Sequence, residues 1–444
     1  MRKLYFFVFI LFIQNFSSTS QEVKIGVALP LFEDSGDSKG ALGNEILDGM
    51  KFALGEYNKT ASLKISLDVR DTKRDMTVTQ TIFTDFGEDS SISCVIGPVF
   101  STELDAVSQD GGVYNMPVIS PTATGDNLAS SHTYIYQMNP SYEVRGKLMA
   151  DYLTKEIGLK NFAVIYEDSY GENFRKHFED EVKKTGGKIV FSKSYSKDSK
   201  NITPVVDSIN SLIKTNDLFI NIANLNLVQR EKLEKAGVRT LLLDSLMNNK
   251  TEVSIYYLFG KNAKKIIDTL NIKPYQLKQT SPDYIQGYID AIYIPVSSPD
   301  EISMLVPELF SNGLSFFIAG TGDWNNEKTL EDNKVYLKNL YFESEYYVND
   351  EDSAVKELVT KLKKSKYKLS KNFLFGYDAV ALLSSIIAKG NISRSQINGA
   401  LQNISGYKAI KSLISLDYHG VNSELNILTY NNGLKKIMDY KLKK

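Results

Sequence analysis

Two short stretches each end an apolar run in a cluster of small hydroxylated residues. In "CVIGPVFSTELDAV" an apolar run ends at Gly97-Pro98 and then offers Ser101 and Thr102. In "PVISPTATGDNLA", Val118 and Ile119 give way to Ser120, Thr122 and Thr124 around Pro121 and Gly125. Small hydroxyls beside free backbone N–H groups at a helix start can hold a carboxylate or a phosphate, because the unpaired amides and the helix dipole both favour negative charge. The same residue types also serve as plain helix caps. Two such strand ends in one chain point to the wall of a polar pocket.

Signs of catalysis are thin. The three histidines, His132, His177 and His419, show no metal-ligand spacing, so no metal site is expected. His177 falls on the charged side of a helical pattern and is expected to be exposed. There is no Gly-x-Ser-x-Gly elbow, no Gly-x-Gly-x-x-Gly in the first strand–helix turn and no Walker loop. Neither an enzyme nor a nucleotide cofactor is expected.

The elements that must position the two hydroxyl stretches are legible as periodicities. "EVKIGVALPL" alternates Val23, Ile25, Val27 and Leu29 as a strand does, and Ile46, Leu47, Met50, Ala53, Leu54 and Tyr57 repeat at helical spacing. "LKISLDV", a helix over Met76 to Phe86, "SCVIGP", a helix over Thr102 to Gly111 and "MPVIS" continue the alternation. Repeated β-α-β implies a parallel sheet covered on both faces. The pattern restarts near residue 140: a helix over Val144 to Ile157, the strand "NFAVIYED", a helix marked by Phe174, Phe178 and Val182, and the strand "KIVFSKSY". The fold class is therefore α/β with two doubly wound units.

The middle is less regular. "NDLFINIANLNLVQREKLEKAGVRTLLLD" reads as strand, helix, strand, and the region from "GYIDAIYIPVSSPDE" to "FFIAGTGDW" reads the same way again. One copy is an insertion, expected at about 207–283. The tail "LISLDYHGVNSELNILTY" has a hairpin signal at His419-Gly420.

Bulk properties exclude other classes. The chain has 444 residues, room for two or three domains, with 42% apolar and 24% charged residues and a net charge of −1. No basic stripe argues for nucleic acid. The N-terminal "MRKLYFFVFILFIQNFSSTSQ" has Arg2 and Lys3, an apolar run from Leu4 to Ile13, and small residues before Gln21. This is the pattern of a secretory signal peptide over residues 1–20, and the apolar run is short for a bilayer span, which takes ~20 residues. The expectation is a protein exported to the periplasm or secreted, without a membrane span once the signal is removed. The only cysteine, Cys94, lies in an apolar strand pattern and is expected in the core.

Taken in order, "KIGVALPL", "GNEILDGMKFAL", "DVRDTKRD", "VIGPVFST", "PVISPTAT", "YEDSYGENF", "IAGTGDW" and "GYDAVALL" resemble the type I periplasmic binding proteins, in particular the branched-chain amino acid receptors of ABC transporters. The resemblance implies two lobes joined by three crossover strands and closing on a small ligand. Residues 22–139 and 346–422 would form the first lobe, and 140–345 and 423–444 the second. It also implies a ligand clamp. Ser101 matches the serine that receives a ligand carboxylate. Thr122, Ala123 and Thr124 match the stretch that holds the carboxylate and ammonium. Tyr170 matches a tyrosine closing from the second lobe, and Asp323 in "GTGDW" is the nearest match to an acidic residue pairing with the ammonium. Asp323 is equally readable as a turn cap before Trp324, and Trp324 as the anchor of its loop. Where such receptors often place an aromatic, this chain has Ser297, Ser298 and Pro299. That departure, with "YIPVSSPDE" and "GTGDWN", is similar to the lipoprotein activators of penicillin-binding proteins. The resemblance thus implies either a solute receptor partnered by an ABC permease, with a small polar ligand such as an amino acid, or an interaction protein partnered by an envelope enzyme.

Overall fold

The computed structural model describes residues 22–32, 40–197, 201–248, 251–277, 284–314 and 316–442. The expected signal peptide lies outside them. Among the described residues no helix is long and apolar enough to cross a membrane.

The first sheet holds β1 (Glu22–Leu29), β2 (Lys64–Asp71), β3 (Ile92–Ile96), β4 (Val118–Ser120) and β5 (Ile135–Gln137), all parallel, in the order β2-β1-β3-β4-β5. Three helices make the crossovers: α1 (Ala41–Thr60), α2 (Met76–Glu88) and α3 (Ser101–Val113). The Asp75 side chain caps α2 by accepting from the Thr77 and Val78 amides, which fixes where that helix starts. Strands buried on both faces need continuous apolar runs, and β3 with Ile92, Cys94, Val95 and Ile96 supplies one, Cys94 included.

The chain then leaves for a second sheet through α4 (Tyr142–Asp151), which continues as a π turn over Tyr152–Glu156. β6 (Asn161–Glu167), α5 (Tyr170–Lys184), β7 (Lys188–Tyr195) and α6 (Thr203–Asn216) follow. A small unit interrupts here: β8 (Phe219–Asn221), α7 (Leu227–Lys235), α8 (Thr240–Asn248), β9 (Glu252–Ser254), α9 (Ile255–Phe259), α10 (Ala263–Leu270) and β10 (Tyr284–Ile285). Its strands form a separate sheet in the order β10-β9-β8 over its own apolar cluster. The second sheet resumes with β11 (Ala291–Ile294), α11 (Pro299–Ser311), β12 (Phe317–Gly320), α12 (Glu327–Asp332) and β13 (Leu340–Ser344).

The chain next returns to the first sheet with α13 (Ser353–Leu362), α14 (Lys371–Ile387) and α15 (Arg394–Leu401). Helix α14 lies backbone to backbone against α1: a Cβ on Gly376 would sit 1.9 Å from the Ile46 carbonyl oxygen. A short hairpin, β14 (Tyr407–Lys408) and β15 (Leu413–Ile414), precedes the last pair, β16 (Glu424–Tyr430) and β17 (Leu434–Lys441). These two add antiparallel to the second sheet, whose order is β17-β16-β13-β12-β11-β6-β7. The chain thus passes between the sheets three times, after β5, after β13 and after β15.

Three local expectations change. The insertion was expected from about residue 207, but α6 buries Val205, Val206, Ile209 and Ile213 in the core of the second lobe, and the separate sheet starts only at Phe219. The "TLLLD" run is helix α8, not a strand. Leu243 and Leu246, three apart, are its buried pair, and short apolar runs do not separate the two states by periodicity alone. At His419-Gly420 the chain turns tightly, with the Asp417 amide donating to the Val421 carbonyl at 2.9 Å. The flanking strands β15 and β16 nevertheless pair in different sheets, so the turn is part of a crossover. Gly420 is required there: its φ is +77°, and a Cβ would meet the Ile135 carbonyl oxygen at 2.5 Å.

Candidate functional site

On the first lobe the hydroxyl stretches are stitched to each other. Ser101 does not cap its own helix. Its Oγ accepts from the amides of Thr124, at 3.3 Å, and Gly125, at 2.9 Å, on the neighbouring loop. Ser120 is fully buried, donates to the Pro98 carbonyl at 2.6 Å and accepts from the Ala123 amide at 3.2 Å. Thr122 donates to the Val99 carbonyl at 2.7 Å. Gln137 on β5 donates to the carbonyls of Ala123 and Gly125, and Asn139 to that of Thr122. Of the expected clamp, the Ser101 and Thr122 hydroxyls and the Ala123 and Thr124 amides therefore hold the loop itself. The Thr124 hydroxyl has no hydrogen-bond partner among the described residues.

On the second lobe Tyr170 opens α5 and Asp323 sits in a 3-10 turn after β12. The two meet: the Tyr170 hydroxyl donates to Asp323 Oδ2 at 2.8 Å. Burial is the main cause that raises both groups above their ordinary pKa values. Trp324 is fully buried with its Nε1–H on the Ile294 carbonyl at 2.8 Å, so it anchors the turn that presents Asp323. The Tyr170 ring stands edge-on to Tyr142 of α4, with centroids 5.8 Å apart.

Between these walls lies a charge cluster that sequence reading missed. Arg145 of α4 is buried and gives Nη1 to Glu343 at 2.9 Å and Nη2 to Glu345 at 2.7 Å and to Asn139 Oδ1 at 2.8 Å. Its Nε donates to the Pro140 carbonyl at 3.2 Å. Glu343 also accepts from the Gly322 amide at 3.1 Å. Glu345 has a second cation, Lys371 at the start of α14, whose side chain stays 44% exposed. The two glutamates titrate apart. Burial pushes Glu343 up to about 7 despite Arg145. Burial also acts on Glu345, but Lys371 and then Arg145 outweigh it and hold that carboxyl well below the usual range. Burial opposes the Arg145 charge, and the two glutamates overcome it and raise its pKa. A signal was present: Glu343 and Glu345 stand two apart in "NLYFESEYYV", at the end of β13, where an extended chain turns alternate side chains to one face.

The walls enclose a cavity of about 150 Å³. Thr124 and Asn139 contribute from the first lobe and the hinge; Tyr142, Arg145, Tyr170, Gly322, Asp323 and Glu345 contribute from the second lobe and its last strand. Of the expected residues, Thr124, Tyr170 and Asp323 line it, whereas Ser101, Thr122 and Ala123 stand behind it. Ser297 is elsewhere. It donates to Glu301 Oε1 at 2.8 Å and accepts from Lys197 at 2.7 Å, closing the start of α11 because Glu301 reaches back over that turn. His177 is half-buried rather than exposed, since its Nε2 lies 2.8 Å from Asp126 Oδ2 on the first-lobe loop.

The described residues form a two-lobed α/β molecule with a polar cavity where the lobes meet. Comparison places it more closely. Residues 46–237 match the model of the receptor family ligand binding region. The structure superposes on the branched-chain amino acid substrate-binding protein LivJ of Streptococcus pneumoniae in complex with isoleucine, with TM-score 0.56, 18% identity, 96% of this chain and 100% of that one. It superposes on the leucine-binding protein LivK of Thermotoga maritima with TM-score 0.57 at 16% identity, covering 94% and 99%. A solute-binding protein of Rhodopseudomonas palustris in complex with 4-hydroxybenzoate gives TM-score 0.59 at 14% identity, covering 95% and 97%. No curated protein matches the chain by sequence. The fold is that of the type I periplasmic binding proteins, as the sequence resemblance implied.

Proposed function

We propose that this protein is an exported solute-binding protein that holds a small polar ligand, an amino acid or related carboxylate, between its lobes and hands it to an ABC permease without transforming it. One observation carries the reading: the hinge cavity is lined from both lobes, with the Thr124 hydroxyl on one side and the Tyr170–Asp323 pair on the other. A ligand there touches both lobes and so favours their closed arrangement. Thermal unfolding against amino acids, short peptides and small carboxylates tests it. A ligand that binds only the folded state adds roughly 4 kcal/mol at a thousandfold excess over Kd. No shift with any compound would sink the reading.

A second reading, an interaction protein acting on an envelope enzyme, is favoured by the inserted unit. Its surface carries Leu227, Val228, Leu241, Tyr257 and Tyr275, with Leu241 84% exposed and Leu227 78% exposed. A partner that covered several of them together would bury apolar surface. Photo-cross-linkers at Leu227 and Leu241 that capture a cell-wall synthase would support it; capture of a permease would return the protein to the first reading.

A further inference from the structure

Resting on the solute-binding reading, we propose that the cleft selects a small ammonium-bearing solute and excludes both branched-chain amino acids and aromatic carboxylates. The argument is one of charge, wall chemistry and size.

Asp323 faces the cavity and is held only by neutral donors, Tyr170 Oη at 2.8 Å and Thr321 Oγ1 at 3.5 Å. Among the described residues it has no cation within ion-pair distance. The cations nearby are committed. Arg145 spends its guanidinium on Glu343, Glu345, Asn139 and the Pro140 carbonyl, and Lys371 is paired with Glu345. Of the three carboxylates here, Glu343 and Glu345 each touch a cation and Asp323 touches none. A half-buried carboxylate in that state gains most from a ligand cation. The same pairing leaves no free guanidinium for the carboxylate of an aromatic acid.

The walls carry no aliphatic side chain. Ligand pockets are usually lined mostly by apolar groups, and a branched aliphatic arm gains its affinity by burial against them. A branched arm would find polar groups and two tyrosine rings here, and would strip water from them. The volume of about 150 Å³ matches an engineered cavity that takes benzene, so it suits about six non-hydrogen atoms. Gly322 lies close under the charged wall: a Cβ there would come within 2.6 Å of Glu345 Oε2 and 2.9 Å of Arg145 Nη1. Opposite Asp323, the Thr124 hydroxyl is placed for a second polar group on the ligand, such as a hydroxyl or a carboxylate.

The test is calorimetric titration of the purified protein with glycine, serine, ethanolamine, leucine and 4-hydroxybenzoate. At least one of the first three is expected to bind at least a hundredfold more tightly than leucine or 4-hydroxybenzoate. The affinity should fall on acidification, as Asp323 takes up a proton in the field of Tyr170, Tyr293, Arg145, Glu343, Glu345 and Lys371. Asp323→Asn should lose at least tenfold in affinity with an unchanged circular dichroism spectrum, and Tyr142→Ala should gain affinity for leucine by making room. If leucine or 4-hydroxybenzoate binds best to the unaltered protein, this proposal is overturned and the solute-binding reading stands. If nothing in this or the wider ligand panel binds, that reading falls too. Should Asp323→Asn fail to fold, the acid dependence on the unaltered protein decides: an affinity independent of pH overturns the role of Asp323.

Discussion

The two walls of the cleft are built on opposite plans. On the first lobe, short hydroxyl side chains are consumed by nearby backbone: Ser101, Ser120 and Thr122 all bond to amides or carbonyls of adjoining loops. On the other side, long charged side chains reach from α4 and the end of β13 to each other and to Lys371 on α14 of the first lobe. A short polar group is captured by its own surroundings, whereas a long one can meet partners far away in sequence. Hydroxyl density in a strand-end loop therefore measures loop construction first. The Thr124 hydroxyl has no such partner among the described residues.

Breaking the charged wall should have the largest effect. Arg145→Met leaves Glu343 and Glu345 buried against too little positive charge, and loss of one partner from such a group costs roughly 3–5 kcal/mol. The urea midpoint should fall accordingly. A loss under about 1 kcal/mol would mean that the cluster is not structural, and the contrast between the walls would fail.

The pH dependence sharpens the same point. Burial raises Glu343 from its ordinary value of 4.5 to about 7. The folded state therefore binds more protons there than the unfolded chain, and stability is fully present below the unfolded value and is lost as pH rises toward 7. Asp378, buried and raised from 3.8 to about 6, acts in an overlapping window with the same sign. Glu343→Gln should flatten the slope of unfolding free energy between these limits, leaving the Asp378 part. An unchanged slope would show that Glu343 does not titrate there.

The hydroxyl wall should respond less. Ser120→Ala strands the buried Ala123 amide, at about 1–3 kcal/mol. Thr124→Val should barely change stability, because its hydroxyl supports nothing, yet should weaken ligand binding. If Thr124→Val costs as much stability as Ser120→Ala, the division of labour within that wall is wrong. The smallest effect is expected in the inserted unit. Leu241→Ser, at an exposed position, should shift unfolding by no more than about 0.5 kcal/mol. A larger loss would place Leu241 in a packed interface.

Much of the fold was readable because periodicity reports which faces are buried. The β-α-β alternation over residues 22–120 was visible from the apolar spacing of β1, α1 and β3. The "TLLLD" segment was not, since three successive leucines carry no period until Leu243 and Leu246 meet the core of the insert. The site was half readable. Thr124, Tyr170 and Asp323 line the cavity, but Ser297 was misplaced, because Glu301 draws it into the start of α11.

The sequence by itself determined two α/β units, their succession and the presence of an extra segment, because these follow from patterns within one element or between chain neighbours. Which polar groups line the cavity follows from packing between elements distant in sequence. Arg145 meets Glu343 and Glu345 from positions 198 and 200 residues away, and Tyr170 meets Asp323 across 153. Such pairings arise when separate strands and helices dock, and their charges are then balanced or left over by geometry that no local pattern records.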